Sequence, residues 1–120
     1  MTNETLNSIR TAITNDKLNT IKSIVENDND VVNEVSLFGS ILQIASREGK
    51  EDIVKYLIDK GCDVNLGGGL YKKSPITEAA FNGYLGIVEM LVNNGAYLDV
   101  STFENNPIFA DIYNRHLNVA

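Results

Sequence analysis

The chain has no tryptophan, one cysteine, one histidine and two prolines. A lone cysteine, Cys62, excludes an internal disulfide and suits a reducing compartment, so the cytoplasm is the expected location. The lone histidine, His116, stands four residues from the C-terminus, where chains are poorly tied down. Serine–histidine or cysteine–histidine catalysis would depend on it. One histidine and one cysteine are too few for a zinc site, and no metal or other cofactor is expected. No apolar run approaches the ~18 residues of a membrane span. The opening MTNETLNSIR lacks a basic start followed by an apolar stretch, so no secretory leader is expected. Basic residues are also scarce: 10 Lys plus Arg stand against 16 Asp plus Glu, a net charge of -6. That balance argues against binding a phosphate backbone, and neither nucleic acid nor membrane is an expected partner.

What is present is an ordinary globular composition, 43% hydrophobic over 120 residues, enough for one domain. It contains a repeat. Residues 40–65, SILQIASREGKEDIVKYLIDKGCDVN, align without a gap on residues 74–99, SPITEAAFNGYLGIVEMLVNNGAYLD, at an offset of 34. Ser40 meets Ser74, Ala45 meets Ala79, Gly49 meets Gly83, Leu57 meets Leu91 and Gly61 meets Gly95. Each copy reads as helix, tight turn, helix. Ser40 and Ser74 are good N-caps, and Ser40 with Gln43 makes a capping box. Pro75 suits the first helical position. Gly49 and Gly83 suit the left-handed residue that ends a first helix. Glu51 and Asp52 open the second helix at its favourable dipole end, and Ile53, Val54, Leu57 and Ile58 form its apolar stripe.

These residues resemble the ankyrin repeat. The family pattern T-P-L-H-x-A-A…G…I-V…L-L…G-A-D-V-N is similar to Ser74-Pro75-Ile76-Thr77-Glu78-Ala79-Ala80, Gly83, Ile87-Val88, Leu91-Val92 and Gly95-Ala96. The closing signature is matched by Gly61-Cys62-Asp63-Val64-Asn65. The family's histidine at the fourth position is Gln43 in one copy and Thr77 in the other. The resemblance implies an all-α solenoid of helix-turn-helix units joined by short β-turn or hairpin loops.

Weaker copies flank the pair. At an offset of 33, Ala12 falls on Ala45, Ile24-Val25 on Leu57-Ile58 and Asp30-Val31 on Asp63-Val64, with Asp16 and Asp28 in place of the turn glycines. Downstream, residues 106–112 read as another first helix. The expected division is an N-terminal capping unit over 1–32, units over 33–65 and 66–99, and a partial C-terminal cap over 100–120. Degenerate ends point to a monomer, and Met1 with a cap-like end is what a free-standing small protein would show. The loops Asn33–Gly39, Leu66–Lys73 and Val100–Asn105 are expected to protrude.

Two local features are weighed and set aside. Cys62 holds the small-residue position that Ala96 holds one copy on, and is expected to be structural. Residues 67–74, GGGLYKKS, approach a phosphate-binding loop, but Lys72 stands where that loop needs glycine. No carboxylate pair is spaced as a buried acid–base couple, so no enzyme is expected.

The resemblance implies a protein-binding scaffold that docks its partner on a concave face and on hairpin tips. Its exposed positions carry over onto Leu37, Arg47 and Glu48; onto Tyr71, Lys73, Phe81 and Asn82; and onto Glu104 and Tyr113. Large aromatics and arginine are enriched in interface hot spots, which favours Tyr71 and Phe81. Glu78 stands where Ile44 stands one copy earlier, and is expected to face the groove. Residues 1–73 hold 11 acids and 9 bases; residues 74–120 hold 5 acids and one base. That asymmetry suggests an acidic rim for a basic partner surface. The alternative expectation is a small acidic inhibitor or immunity protein that blocks a basic toxin.

Overall fold

A computed structural model describes residues 3–70 and 73–97. The order is α1 (Asn3–Thr14), α2 (Leu18–Asn27), a 3-10 turn (Asn29–Asn33), β1 (Val35–Ser36), β2 (Gly39–Ser40), α3 (Ile41–Arg47), α4 (Glu51–Asp59), α5 (Pro75–Phe81) and α6 (Leu85–Asn93). The expected helix-turn-helix units are present. Helices pair as α1–α2, α3–α4 and α5–α6, and the first helices line up, α1 on α3 and α3 on α5. On the other side, α4 meets α6.

Local chemistry explains the helix limits. Ser40 accepts the Gln43 amide at 3.0 Å, and the Gln43 side chain accepts the Ser40 amide at 3.2 Å, which closes the capping box. The same Ser40 hydroxyl donates to Leu66 at 2.7 Å, and Gln43 Oε1 accepts the Gly68 amide at 3.1 Å. One cap therefore also anchors the next loop. Gln43 fills the role that the family's histidine position leaves open. Pro75 opens α5 behind the Ser74 cap. Gly49 and Gly83 take φ of 75° and 77° at the two tight turns.

The core is continuous across the units. Ala12, Ala45 and Ala79 are buried at equivalent places and let the first helices approach. Ile53, Val54 and Leu57 are enclosed, as are Ile87, Val88 and Leu91 one unit on. The units are also stitched along their loops. Asn33 Oδ1 accepts the Asp63 amide at 2.9 Å, and Asn65 Oδ1 accepts the Tyr97 amide at 2.8 Å. At both unit junctions an asparagine, Asn33 or Asn65, thus satisfies a backbone donor about 30 residues on.

The first unit departs from the sequence alignment. Asp16, over Gly49, does turn left-handed (φ 61°), the only described non-glycine to do so. Asp28, over Gly61, does not: its backbone is extended at φ −150°, and its carboxylate accepts the Asp30 amide at 3.1 Å to start the 3-10 turn. Burial shifts with it. Val25 and Ile21 are enclosed on α2, while Ile24, aligned with the enclosed Leu57, is half-buried. Finally, α1 has 12 residues where α3 and α5 have 7. Its first turns occupy the place that a loop takes in the later units.

Candidate functional site

Two loops project beside the first helices. In the first, Val35–Ser36 pairs with Gly39–Ser40 as an antiparallel hairpin, and Ser36 Oγ accepts the Phe38 amide at 3.1 Å. In the second, a single bridge joins Gly68 to Lys73. The two fingers touch: the Leu70 amide donates to the Leu37 carbonyl at 2.9 Å. A β-carbon at Gly69 would collide with that same carbonyl, so only glycine permits the approach. The tips carry apolar side chains into solvent, Leu37 at 68% and Leu70 at 69% exposed. The third expected loop, residues 100–105, lies outside the described residues.

Arg47, Glu78 and Phe38 form a connected cluster between α3, α5 and the first finger. The Arg47 guanidinium pairs through Nε with the Glu78 carboxylate and donates through Nη2 to the Phe38 carbonyl at 2.8 Å. Glu78 is only 4% exposed. Glu78, expected to face the groove, is thus enclosed in mid-stack on a first helix, where Arg47 compensates its charge. Of the other carboxylates behind the expected acidic rim, Asp99, Glu104 and Asp111 lie outside the described residues, and Glu89 is on α6 in the second-helix row.

The remaining predicted residues fall as follows. Glu48 is half-buried and accepts the Thr14 hydroxyl at 2.8 Å, tying α3 to α1. Phe81 is 60% exposed at the end of α5, and Lys73 Nζ sits 4.4 Å from its ring centroid. Asn82 is exposed, but its side-chain amide donates to the Glu78 carbonyl at 2.8 Å and finishes the helix. Leu37, Arg47, Glu48, Lys73 and Phe81 thus stand on the first helices and fingers. Tyr71, Glu104 and Tyr113 lie outside the described residues.

Arg10, Leu6, Val35 and Phe38 were missed from the sequence. The Arg10 guanidinium carbon lies 4.1 Å from the Phe38 ring centroid. Together these residues wall a cleft of about 640 Å³ between α1 and the two fingers. A smaller cleft of about 400 Å³ lies on the other side of Arg10, against Thr14, Arg47 and Glu48. A signal did exist: Arg10 aligns with Gln43 and Thr77 at the family's histidine position. In the later units that position bonds a cap or a loop; in the first unit it lies inside the longer α1, and Arg10 turns to the next unit's finger.

Cys62 is buried, and its thiol donates to the Val32 carbonyl at 2.8 Å. Burial, and secondarily the Asp63 charge, pushes the thiol pKa up to about 12, so it carries no thiolate near neutrality. In the near-phosphate loop, the Gly68 and Leu70 amides are engaged by Gln43 and Leu37, so neither is aimed at an anion. His116 lies outside the described residues. Among the described residues no cluster of three His, Cys, Asp or Glu is placed to hold a metal, and no helix is long and apolar enough to cross a membrane.

Comparison with known proteins gives one consistent pattern. The family model described as "Ankyrin repeats (3 copies)" matches residues 9–102. A palmitoyltransferase AKR1 from Lachancea kluyveri is 42% identical over 55 residues, which are 46% of this chain and 8% of that protein. A glycerophosphocholine phosphodiesterase GDE1 from Eremothecium gossypii is 36% identical over 59 residues, 49% of this chain and 4% of its own length. A putative ankyrin repeat protein from Rickettsia felis is 33% identical over 69 residues, 58% of this chain and 30% of that one. The chain thus spans less than a third of each of these relatives. The crystal structure of the human ASB11 ankyrin repeat domain superposes with a TM-score of 0.74 at 20% identity, covering 89% of this chain and 52% of that one.

Proposed function

The chain belongs to the ankyrin repeat family, and from that premise we propose that it is a non-enzymatic module that binds a partner protein through its first-helix groove and finger tips. Ankyrin repeats are generally protein–protein interaction modules. The observation that carries the reading is the placement of exposed apolar bulk. Of the four described large apolar side chains at least 60% exposed, Leu37, Leu70 and Phe81 lie on the fingers or on a first helix, and Tyr97 lies after α6. Exposed apolar groups gathered on one side of a protein mark an interaction surface. A free, buried Cys62 suits action in a reducing compartment such as the cytoplasm. Nothing in the described groove favours a basic partner or toxin inhibition, because Glu78 is already neutralised by Arg47.

The test is calorimetric titration of the purified partner, found by affinity capture with wild type beside a Leu37→Ala/Phe81→Ala double variant. Phe81→Ala alone is expected to weaken binding by about 2 kcal/mol, the scale of an interface hot spot, with the thermal midpoint unchanged. Unaltered affinity in the double variant would remove the groove and fingers from the interface.

A further inference from the structure

We propose that the cleft between α1 and the two fingers receives a short partner segment that sets an acidic side chain beside bulky apolar ones. This rests on the protein-binding reading above and names the chemistry it selects. The cleft's volume, about 640 Å³, lies within the ~300–1,000 Å³ of sites that enclose a compact ligand. Its walls mix apolar side chains, Leu6 on α1, Val35 and Phe38 on the first finger and Leu70 on the second, with the polar Asn7 and Ser36. Arg10 is the sole charged residue among the described residues that line it.

Arg10 is what commits the occupant. Among the described residues it meets the Phe38 ring, at 4.1 Å, and makes one long hydrogen bond from Nη2 to Asn7 Oδ1, at 3.4 Å. It forms no ion pair among the described residues, unlike Arg47. A guanidinium carries five donors in its plane, and stacking on a ring leaves that plane open to a carboxylate. For a planar guanidinium backed by an aromatic ring, a bidentate carboxylate is the strongest match. A basic segment would instead meet an uncompensated like charge. The acid Glu48 lines the smaller cleft beyond Arg10 and is held by Thr14, so a carboxylate arriving from the finger side meets Arg10 first. The net charge of -6 does not overrule this, because exposed charges farther off than ~8–10 Å are largely screened at physiological salt. The walls are also preformed, the fingers being joined through Leu70 and Leu37, which lowers the ordering cost of binding.

The experiment is selection of phage-displayed random short peptides on the full chain, followed by affinity measurement of one synthetic representative. Wild type is expected to enrich peptides that combine Asp or Glu with Leu, Ile or Phe. Arg10→Gln should weaken the representative about tenfold or more, and Leu70→Ser, on the opposite wall and away from α1, should do the same. Selection on Arg10→Glu should turn the enriched charge to Lys or Arg. Circular dichroism melts check that each variant folds. A basic consensus on wild type, an acidic consensus insensitive to Arg10→Gln, or no enrichment would each overturn the inference. All three leave the protein-binding reading standing; that reading fails on the Leu37→Ala/Phe81→Ala titration instead.

Discussion

Ala45 and Ala79, Ile53 and Ile87, and Leu57 and Leu91 hold the same enclosed positions in the second and third units, 34 residues apart. At the groove the same two units diverge. Ile44 becomes Glu78, Arg47 becomes Phe81 and Gln43 becomes Thr77. The buried face of each unit must fit a neighbour of the same build, so its residues repeat. Toward the groove no such match is needed, and the polar residues enclosed there, Gln43 and Glu78, are held by the partners that satisfy them. The first unit extends the contrast, since its interior keeps Ile9 and Ala12 while its groove side carries Arg10 and its turns carry Asp16 and Asp28.

The largest effect should come from breaking the repeated interior. Leu57→Ala should cost about 2–5 kcal/mol of stability, the range for opening a cavity in a closed core. Ile24→Ala, at the aligned place in the first unit, should cost about 1 kcal/mol, because Ile24 keeps part of its surface in water. Urea denaturation of the two variants measures the difference. Equal losses would mean that the shift of burial from Ile24 to Val25 does not hold in solution.

How far the molecule could be read from its sequence follows the same division. The helices, the capping box at Ser40, Pro75 at the start of α5 and the turn glycines were all legible, because each rests on a local rule, stated twice over for the helix stripes and turn glycines. The groove was legible only as a row of positions. Glu78 is expected at the groove because it replaces the Ile44 of the earlier copy; its burial depends on Arg47, 31 residues away in the chain, and no local rule pairs them. Arg10 was overlooked for the opposite reason. Its role depends on the extra helical turns of α1 and on Phe38 of the next finger reaching across.

The Ile44–Glu78 contrast supplies a sharper test. Glu78→Ala removes the carboxylate opposite Arg47 and should cost about 1–3 kcal/mol. The loss should stay below that of a fully enclosed pair, since the Arg47 side chain is 29% exposed and can turn toward water. Restoring the apolar residue of the second unit should reverse it: Arg47→Leu with Glu78→Ile is expected to return close to wild-type stability. A double-mutant cycle with the two alanine variants should show a coupling of about 0.5–3 kcal/mol. Strict additivity would mean that the pair does not hold α3 against α5.

The smallest effects lie in the turns, where the first unit uses aspartate and the others glycine. At Gly61 (φ 89°) an added β-carbon meets nothing within 4 Å, so Gly61→Ala isolates the backbone cost of a left-handed residue, about 1–2 kcal/mol. At Gly49 (φ 75°) the added carbon would also strike the Tyr84 ring of the next unit, so Gly49→Ala should cost more than Gly61→Ala. Asp16→Gly runs the other way, relieving a non-glycine of its left-handed φ of 61° while loosening the unfolded chain. Those two contributions oppose, and the net change in thermal midpoint should be smaller than either glycine variant produces. Should Gly49→Ala and Gly61→Ala prove equal, backbone strain alone would account for both turns, and the Tyr84 ring would have room to move aside.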